Sequence, residues 1–387
     1  MRYYFLLVLF ISSTIIATSQ VASIPFEKEG LVYIPVEVPE KNESLTFVFD
    51  TGASTAVMDK TAATRLGIKA DTKQYATGAS GSQEYEIALD RTIRIENLDF
   101  DKLNIVLVDL QELSNRSGIQ IDGIIGYDVI RRYVTEFDFA NKKLHLYNNT
   151  KDINDITGYT AHKIRMSNAI PMVTLDCAFK DGTTISGDFL FDSGANLGIL
   201  FNTPFVKKHQ LKDKFDTSIT ISSRGLTATT TSIVGLTKEV SLLGNTFSGV
   251  PVSLSQSKQG VSSRTDFAGI LGADIINRFD MILDYKKKKL YLKPSVYYKD
   301  AFDIPLVGFT IKKSDQKIVI GDVIQGTEAA QKGIQSGDEI HSINNVSHVD
   351  LKSYRELLKK EGQTIQLVLK KASGKEEVIE LKLERLL

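Results

Sequence analysis

Two short runs in this sequence carry the residue types for acid–base chemistry. Asp50-Thr51-Gly52-Ala53-Ser54 and Asp192-Ser193-Gly194-Ala195-Asn196 lie 142 residues apart, and each directly follows an apolar run, Phe47-Val48-Phe49 and Phe189-Leu190-Phe191. Two carboxylates held side by side cannot both ionise, so one pKa is pushed up and the pair shares a proton. One carboxylate then deprotonates water while its partner protonates a carbonyl oxygen, with no metal and no covalent intermediate. Gly52 and Gly194 let the backbone approach its partner closely. The hydroxyls of Thr51 and Ser193 are placed to lock the two loops together. The Ser54 hydroxyl is placed to hydrogen-bond the outer oxygen of Asp50, and Asn196, at the same place in the second run, is able to do so for Asp192.

Other chemistries find no support. None of the five histidines forms an HExxH or other close metal pair, and there is no phosphate loop, no GxGxxG after a strand and no nucleophile elbow. No metal and no cofactor are expected. With 47 basic and 47 acidic residues the formal net charge is +0, which gives no footprint for a nucleic-acid partner. Cys177 is the one cysteine, so no intrachain disulfide is possible. It sits in the apolar stretch from Ile170 to Phe179 and reads as a small buried hydrophobe.

The elements that must position the aspartates repeat along the chain. Gly123-Ile-Ile-Gly126-Tyr-Asp128-Val-Ile-Arg131 is echoed by Gly269-Ile-Leu-Gly272-Ala-Asp274-Ile-Ile-Asn277 at an offset of 146, and the residues that follow also match: Phe137-Asp138-Phe139 by Leu283-Asp284-Tyr285. Two matches in the same order at nearly the same spacing imply an internal duplication. The chain therefore divides into lobes at 28–150 and 160–296. In each, two apolar and β-branched runs flank a polar turn, Leu31–Val38 and Leu45–Phe49, then Ile170–Phe179 and Ile185–Phe191. Asp50 and Asp192 thus leave the second strand of a hairpin. Asp128 and Asp274 read as N-caps of short helices, and 141–143 and 286–289 as hairpin turns.

These motifs resemble the aspartic proteases of the pepsin and retropepsin clan. The resemblance covers roughly 28–296 and rests on Asp-Thr/Ser-Gly-Ala twice, each followed some 75 residues later by its Gly-Ile-Ile/Leu-Gly partner. It implies a mostly β fold of two tandem retropepsin-like barrel lobes forming a single-chain pseudo-dimer, in which Asp50 and Asp192 are the catalytic pair and Thr51, Gly52, Ser54, Ser193 and Gly194 support the catalytic loops. The arginine that many viral retropepsins carry after the last glycine is absent, with Tyr127 and Ala273 in its place, so the inter-lobe ion pairing it serves is not expected. The resemblance also asks for a flap. Thr77, Gly78, Ala79 and Ser80 are its candidates in the first lobe, and Ser222 to Thr227 holds the similar place in the second.

From Lys299 neither repeat returns, and 299–387 reads as a separate domain. Leu306-Val307-Gly308-Phe309 before a strand, Ala329-Ala330 leading to Gly333, and Gly337-Asp338-Glu-Ile340 resemble a PDZ domain of the kind found on bacterial envelope proteases. The resemblance implies a small α+β fold whose loop, Leu306 to Phe309, binds a C-terminal peptide ligand that adds as a strand.

The first nineteen residues read as a signal peptide: Arg2, an apolar run from Phe5 to Ala17, and small residues at Ala17 and Ser19 before a cut ahead of Gln20. No later segment is long and apolar enough to span a membrane. The expectation is an exported protein of a bacterial periplasm, envelope or extracellular space. Its expected activity is that of an aspartic endopeptidase acting on polypeptides, with the PDZ domain recruiting or regulating substrate. A non-catalytic peptide-binding adaptor with the same cleft is the alternative.

Overall fold

The computed structural model describes residues 20–41, 43–78, 81–224, 229–347 and 350–387. The expected signal segment 1–19 and the flap candidates Ala79 and Ser80 lie outside the described residues. Among the described residues no helix is long and apolar enough to cross a membrane.

The fold is mostly β and is built on four sheets. In the first, Leu31–Val38 and Glu43–Phe49 form an antiparallel hairpin. Glu43–Phe49 then pairs in parallel with Gly123–Ile125, Phe47 opposite Gly123 and Phe49 opposite Ile125. In the second, Ile170–Ala178 and Thr184–Phe191 form the matching hairpin, and Thr184–Phe191 pairs in parallel with Gly269–Leu271, Phe189 opposite Gly269 and Phe191 opposite Leu271. The two lobes therefore share one register at the strand that ends in each aspartate. The parallel pairing explains why these strands are apolar at nearly every position, since both faces are covered.

A third sheet joins the lobes. Val134–Asp138 pairs with Phe279–Asp284, with Phe137 opposite Met281, and the N-terminal Gln20–Pro25 strand closes one end against Lys143–Tyr147. Phe49, Phe137 and Phe139 from the first lobe and Phe191, Phe279 and Met281 from the second belong to one continuous buried core. At about 1.5–3 kcal/mol for each large apolar side chain buried, this shared core makes the two lobes a single body.

The fourth sheet has five strands in sequence order, from Phe309–Ser314 at one edge to Glu376–Lys382 at the other, with its own core around Ile320, Ile343, Leu367 and Leu381. The connection from the second lobe is held by Arg278, whose guanidinium donates to the carbonyls of Tyr298 (3.2 Å) and Asp300 (2.6 Å) and stacks on Phe302.

One local expectation needs correction. The short helices run Tyr127–Ile130 and Ala273–Ile276 with Gly126 and Gly272 at the N-cap, so Asp128 and Asp274 are each the second helical residue and cap nothing. Asp128 instead accepts from the Ala56 N–H at 3.1 Å, tying the helix to the chain beyond the Asp50 loop. Cys177 is fully buried, and burial pushes its thiol up to about 12, so it is an inert core side chain.

Candidate active site

Asp50 and Asp192 both begin a loop at the end of a parallel-paired strand, and each backbone N–H is fixed to the partner strand: Asp50 to Ile125 O at 2.9 Å and Asp192 to Leu271 O at 3.0 Å. The two loops are then clasped by reciprocal bonds. Thr51 N–H donates to Ser193 Oγ (3.0 Å) and Ser193 N–H to Thr51 Oγ1 (2.9 Å). The Thr51 hydroxyl donates onward to Phe191 O (2.7 Å), and that of Ser193 to Phe49 O (3.3 Å). Both hydroxyl residues are buried, so each bond satisfies a group that would otherwise be desolvated without a partner.

The clasp brings the carboxylates together. A Cβ on Gly52 would lie 2.4 Å from Asp192 Cγ, and one on Gly194 would lie 2.2 Å from Asp50 Cγ. Only glycine allows each loop to pass that close to the opposite carboxylate. Gly126 serves the same end from behind: its Cβ would meet the Asp50 carbonyl oxygen at 1.6 Å.

The pair is not electrostatically symmetric. Asp50 Oδ1 accepts two backbone N–H groups, Gly52 at 2.6 Å and Gly194 at 3.1 Å, whereas Asp192 Oδ1 accepts Gly194 at 3.0 Å. Surrounding protein desolvates both carboxylates although each keeps an accessible face. Burial raises the pKa of Asp50, opposed by its hydrogen bonds from Asp192, Gly52 and Gly194. Burial, then the charge of Asp50, lifts Asp192 well above the ordinary carboxylate range. The extra N–H bond at Asp50 favours the charge there and the shared proton on Asp192.

Residues 34–129 match the aspartyl protease family model. Residues 305–370 match the PDZ domain model. The chain thus carries an aspartyl protease domain in its first lobe and a PDZ domain at its C-terminal end. The protease match stops at Val129, and the second lobe is tied to it by the shared register and the clasp. No curated protein matches the chain.

The other sequence-singled residues fall in several places. Ser54 is exposed and makes no hydrogen bond to Asp50 among the described residues; the N–H groups of Gly52 and Gly194 orient that carboxylate instead. Asn196 is also exposed and lies against Gly30 of the N-terminal segment, where a Cβ would meet its Oδ1 at 2.7 Å. Thr77 and Gly78 end the Thr72–Gly78 strand of an antiparallel hairpin, with Gly78 opposite Gly81. In the second lobe, Ser222 lies on the matching hairpin strand Ser218–Arg224, while 225–228 fall outside the described residues. In the PDZ loop, the Leu306 carbonyl accepts from Glu384 N–H (3.3 Å) and the Gly308 carbonyl from Ile324 N–H (2.7 Å).

Sequence reasoning missed Tyr285. Its ring is buried beside that of Tyr127, centroids 6.2 Å apart, and its phenol finds no hydrogen-bond partner among the described residues. Burial and the charges of Asp50, Tyr127 and Asp192 push its pKa up, so it is a neutral phenol backing the dyad. Its lobe-one counterpart in the repeat is Phe139, and that polar substitution within an apolar repeat was the available signal. Two buried apolar clusters lie beside the pair as well. Ala53 packs with Leu31, Tyr33, Leu110 and Ile124, and Ala195 with Met172, Leu190, Phe267 and Ile270.

Proposed function

We propose that the chain is an aspartic endopeptidase whose catalytic pair is Asp50 and Asp192. The observation that carries this reading is the carboxylate pair itself, clasped by Thr51 and Ser193 and unequally supplied with hydrogen bonds. In the proposed mechanism the ionised Asp50 takes a proton from a water held between the carboxylates. Asp192 gives its proton to the carbonyl oxygen of the scissile peptide as the water oxygen attacks the carbon. The tetrahedral gem-diol then collapses: the C–N bond breaks, the amine leaves with the proton that Asp50 received, and a hydroxyl proton returns to Asp192.

Thr51, Gly52, Ser193 and Gly194 hold the pair; Ser54 has no part in this reading. The Thr72–Gly78 hairpin is the candidate flap. Export to a bacterial envelope, with 1–19 as the signal, remains part of the proposal, as do lobes at 28–150 and 160–296 followed by a PDZ domain over 299–387.

The test is hydrolysis of a mixed peptide library from pH 3 to pH 8 by wild type, Asp50→Asn and Asp192→Asn. Each substitution is expected to reduce kcat by at least about 10²–10⁴-fold while leaving the circular dichroism spectrum unchanged. The wild-type profile should be bell-shaped: protonation of Asp50 stops the reaction on the acid side, and loss of the Asp192 proton stops it on the alkaline side. Full activity in either mutant would remove the assignment.

A further inference from the structure

The Phe309–Ser314 strand is the edge of the PDZ sheet and lies against the Leu351–Leu357 helix. An extended peptide joins a PDZ domain by adding to such an edge. Here the first lobe already occupies it: the Gln111–Ser117 helix lies along the Phe309–Ser314 strand. Lys312 Nζ donates to both carboxylate oxygens of Glu112, each at 3.0 Å. Lys313 Nζ donates to the Gly118 carbonyl at 2.9 Å. From the facing PDZ helix, Arg355 donates to the carbonyls of Ser117 (3.2 Å) and Arg116. Arg116 in turn pairs with Asp322 at 2.9 Å, and a Cβ on Gly118 would lie 3.1 Å from the Leu351 side chain.

The last carbonyls of a helix lack intrahelical partners and carry partial negative charge. Three PDZ cations therefore gather a carboxylate and three carbonyl oxygens, as they would gather the acidic end of a peptide. The same domain reaches the second lobe, where its Lys317–Val323 strand comes beside the Ser218–Arg224 hairpin strand. Arg355 and Lys359 also form a wall of a cavity of about 440 Å³ shared with Gly30, Asn196 and Ala273. Asn196 is in the loop that begins at Asp192, and Ala273 belongs to the buried apolar cluster beside Ala53. The PDZ domain thus bridges the first-lobe helix and the second-lobe hairpin at one end of the cleft.

We propose that the first-lobe turn 116–118 is a cis ligand of the PDZ groove, and that an acidic peptide with a free C-terminal carboxylate binds there by displacing it, releasing the domain from that end of the cleft. The consequence for cleavage rests on the endopeptidase reading; the cis occupancy does not. Glu112→Lys should break the contact and Glu112→Lys with Lys312→Glu should rebuild it with the charges exchanged.

The experiment is hydrogen exchange on the full chain. In Glu112→Lys, segments 111–117, 309–314 and 218–224 are expected to exchange about tenfold faster, and the charge-exchanged double mutant to return to the wild-type rate. A glutamate-rich peptide ending in a free-carboxylate leucine should speed 111–117 in the wild type, and its C-terminal amide should not. Unchanged exchange at 309–314 in Glu112→Lys overturns the cis ligand. A change there without one at 218–224 overturns the closure of the cleft end, and no response to the free-carboxylate peptide overturns the ligand class. Peptide hydrolysis measured on the same samples separates the two readings: absence of cleavage in every variant counts against the endopeptidase alone.

Discussion

Burial and the neighbouring Asp50 raise the Asp192 pKa well above the ordinary carboxylate range. Folding therefore carries a cost that depends on pH, and its sign follows from the raised pKa. Below the ordinary carboxylate range both folded and unfolded chains hold the proton and the cost is absent. As pH rises the unfolded chain ionises first, so stability falls until the raised folded value is passed. Asp192→Asn removes the ionisation and with it the cost. The mutant is expected to melt about 2 °C or more above wild type at pH 7, with the gap closing towards pH 3, as read by calorimetry across that range. A gap independent of pH would mean that packing and not ionisation separates the two proteins. The aspartates, their glycines and their hydroxyls were readable because a repeated chemical run is local in the chain. The asymmetry was not, since it arises from the Gly194 N–H reaching across the lobe interface to Asp50 as well as to its own loop.

At the scale of elements, the glycines that end each Gly-Ile-Ile/Leu-Gly segment do different work in the two lobes. Gly126 faces the carbonyl oxygen of Asp50, whereas a Cβ on Gly272 would meet Leu197 O at 2.2 Å and Ala195 O at 2.6 Å. Gly126→Ala must therefore push directly on the first aspartate. We expect it to lose about 1–3 kcal/mol of stability, measured by urea unfolding, and to lose peptide hydrolysis at temperatures where it is still folded. Hydrolysis at the wild-type rate by a folded Gly126→Ala would show that the loop relaxes without moving the carboxylate. The same tightness explains why the helix caps were misread. An aspartate before an apolar pair is a strong cap signal, but the chain is pinned by Tyr127 N–H to Ala53 O (3.1 Å) and Ala273 N–H to Ala195 O (2.8 Å), and that starts each helix two residues earlier. Strand runs such as Leu31–Val38 and Ile185–Phe191 were legible from their composition. The pairing of Val134–Asp138 with Phe279–Asp284 was not, because each strand alone reads as an ordinary hairpin arm.

At the scale of the molecule, the PDZ domain is joined to the two lobes by contacts that leave no local trace in the sequence. Glu112 and Lys312 are 200 residues apart, and Glu29 and Lys352 are 323 apart, yet both pairs close within hydrogen-bond distance. Such pairs involve partly exposed side chains, and exposed charges are screened over about 8 Å at physiological ionic strength and about 3 Å at 1 M. Apolar docking would respond in the opposite sense, since excluded salts strengthen burial. Raising sodium chloride from about 0.05 M to about 1 M should therefore speed exchange at 309–314 and leave the Phe137 to Met281 pairing between the lobes protected. That contrast places the weak joint of the molecule between the PDZ domain and the lobes, where a charged ligand has the leverage to open it. Slower exchange at 309–314 in high salt would instead assign the docking to the Leu351 and Gly118 contact and make the ion pairs incidental.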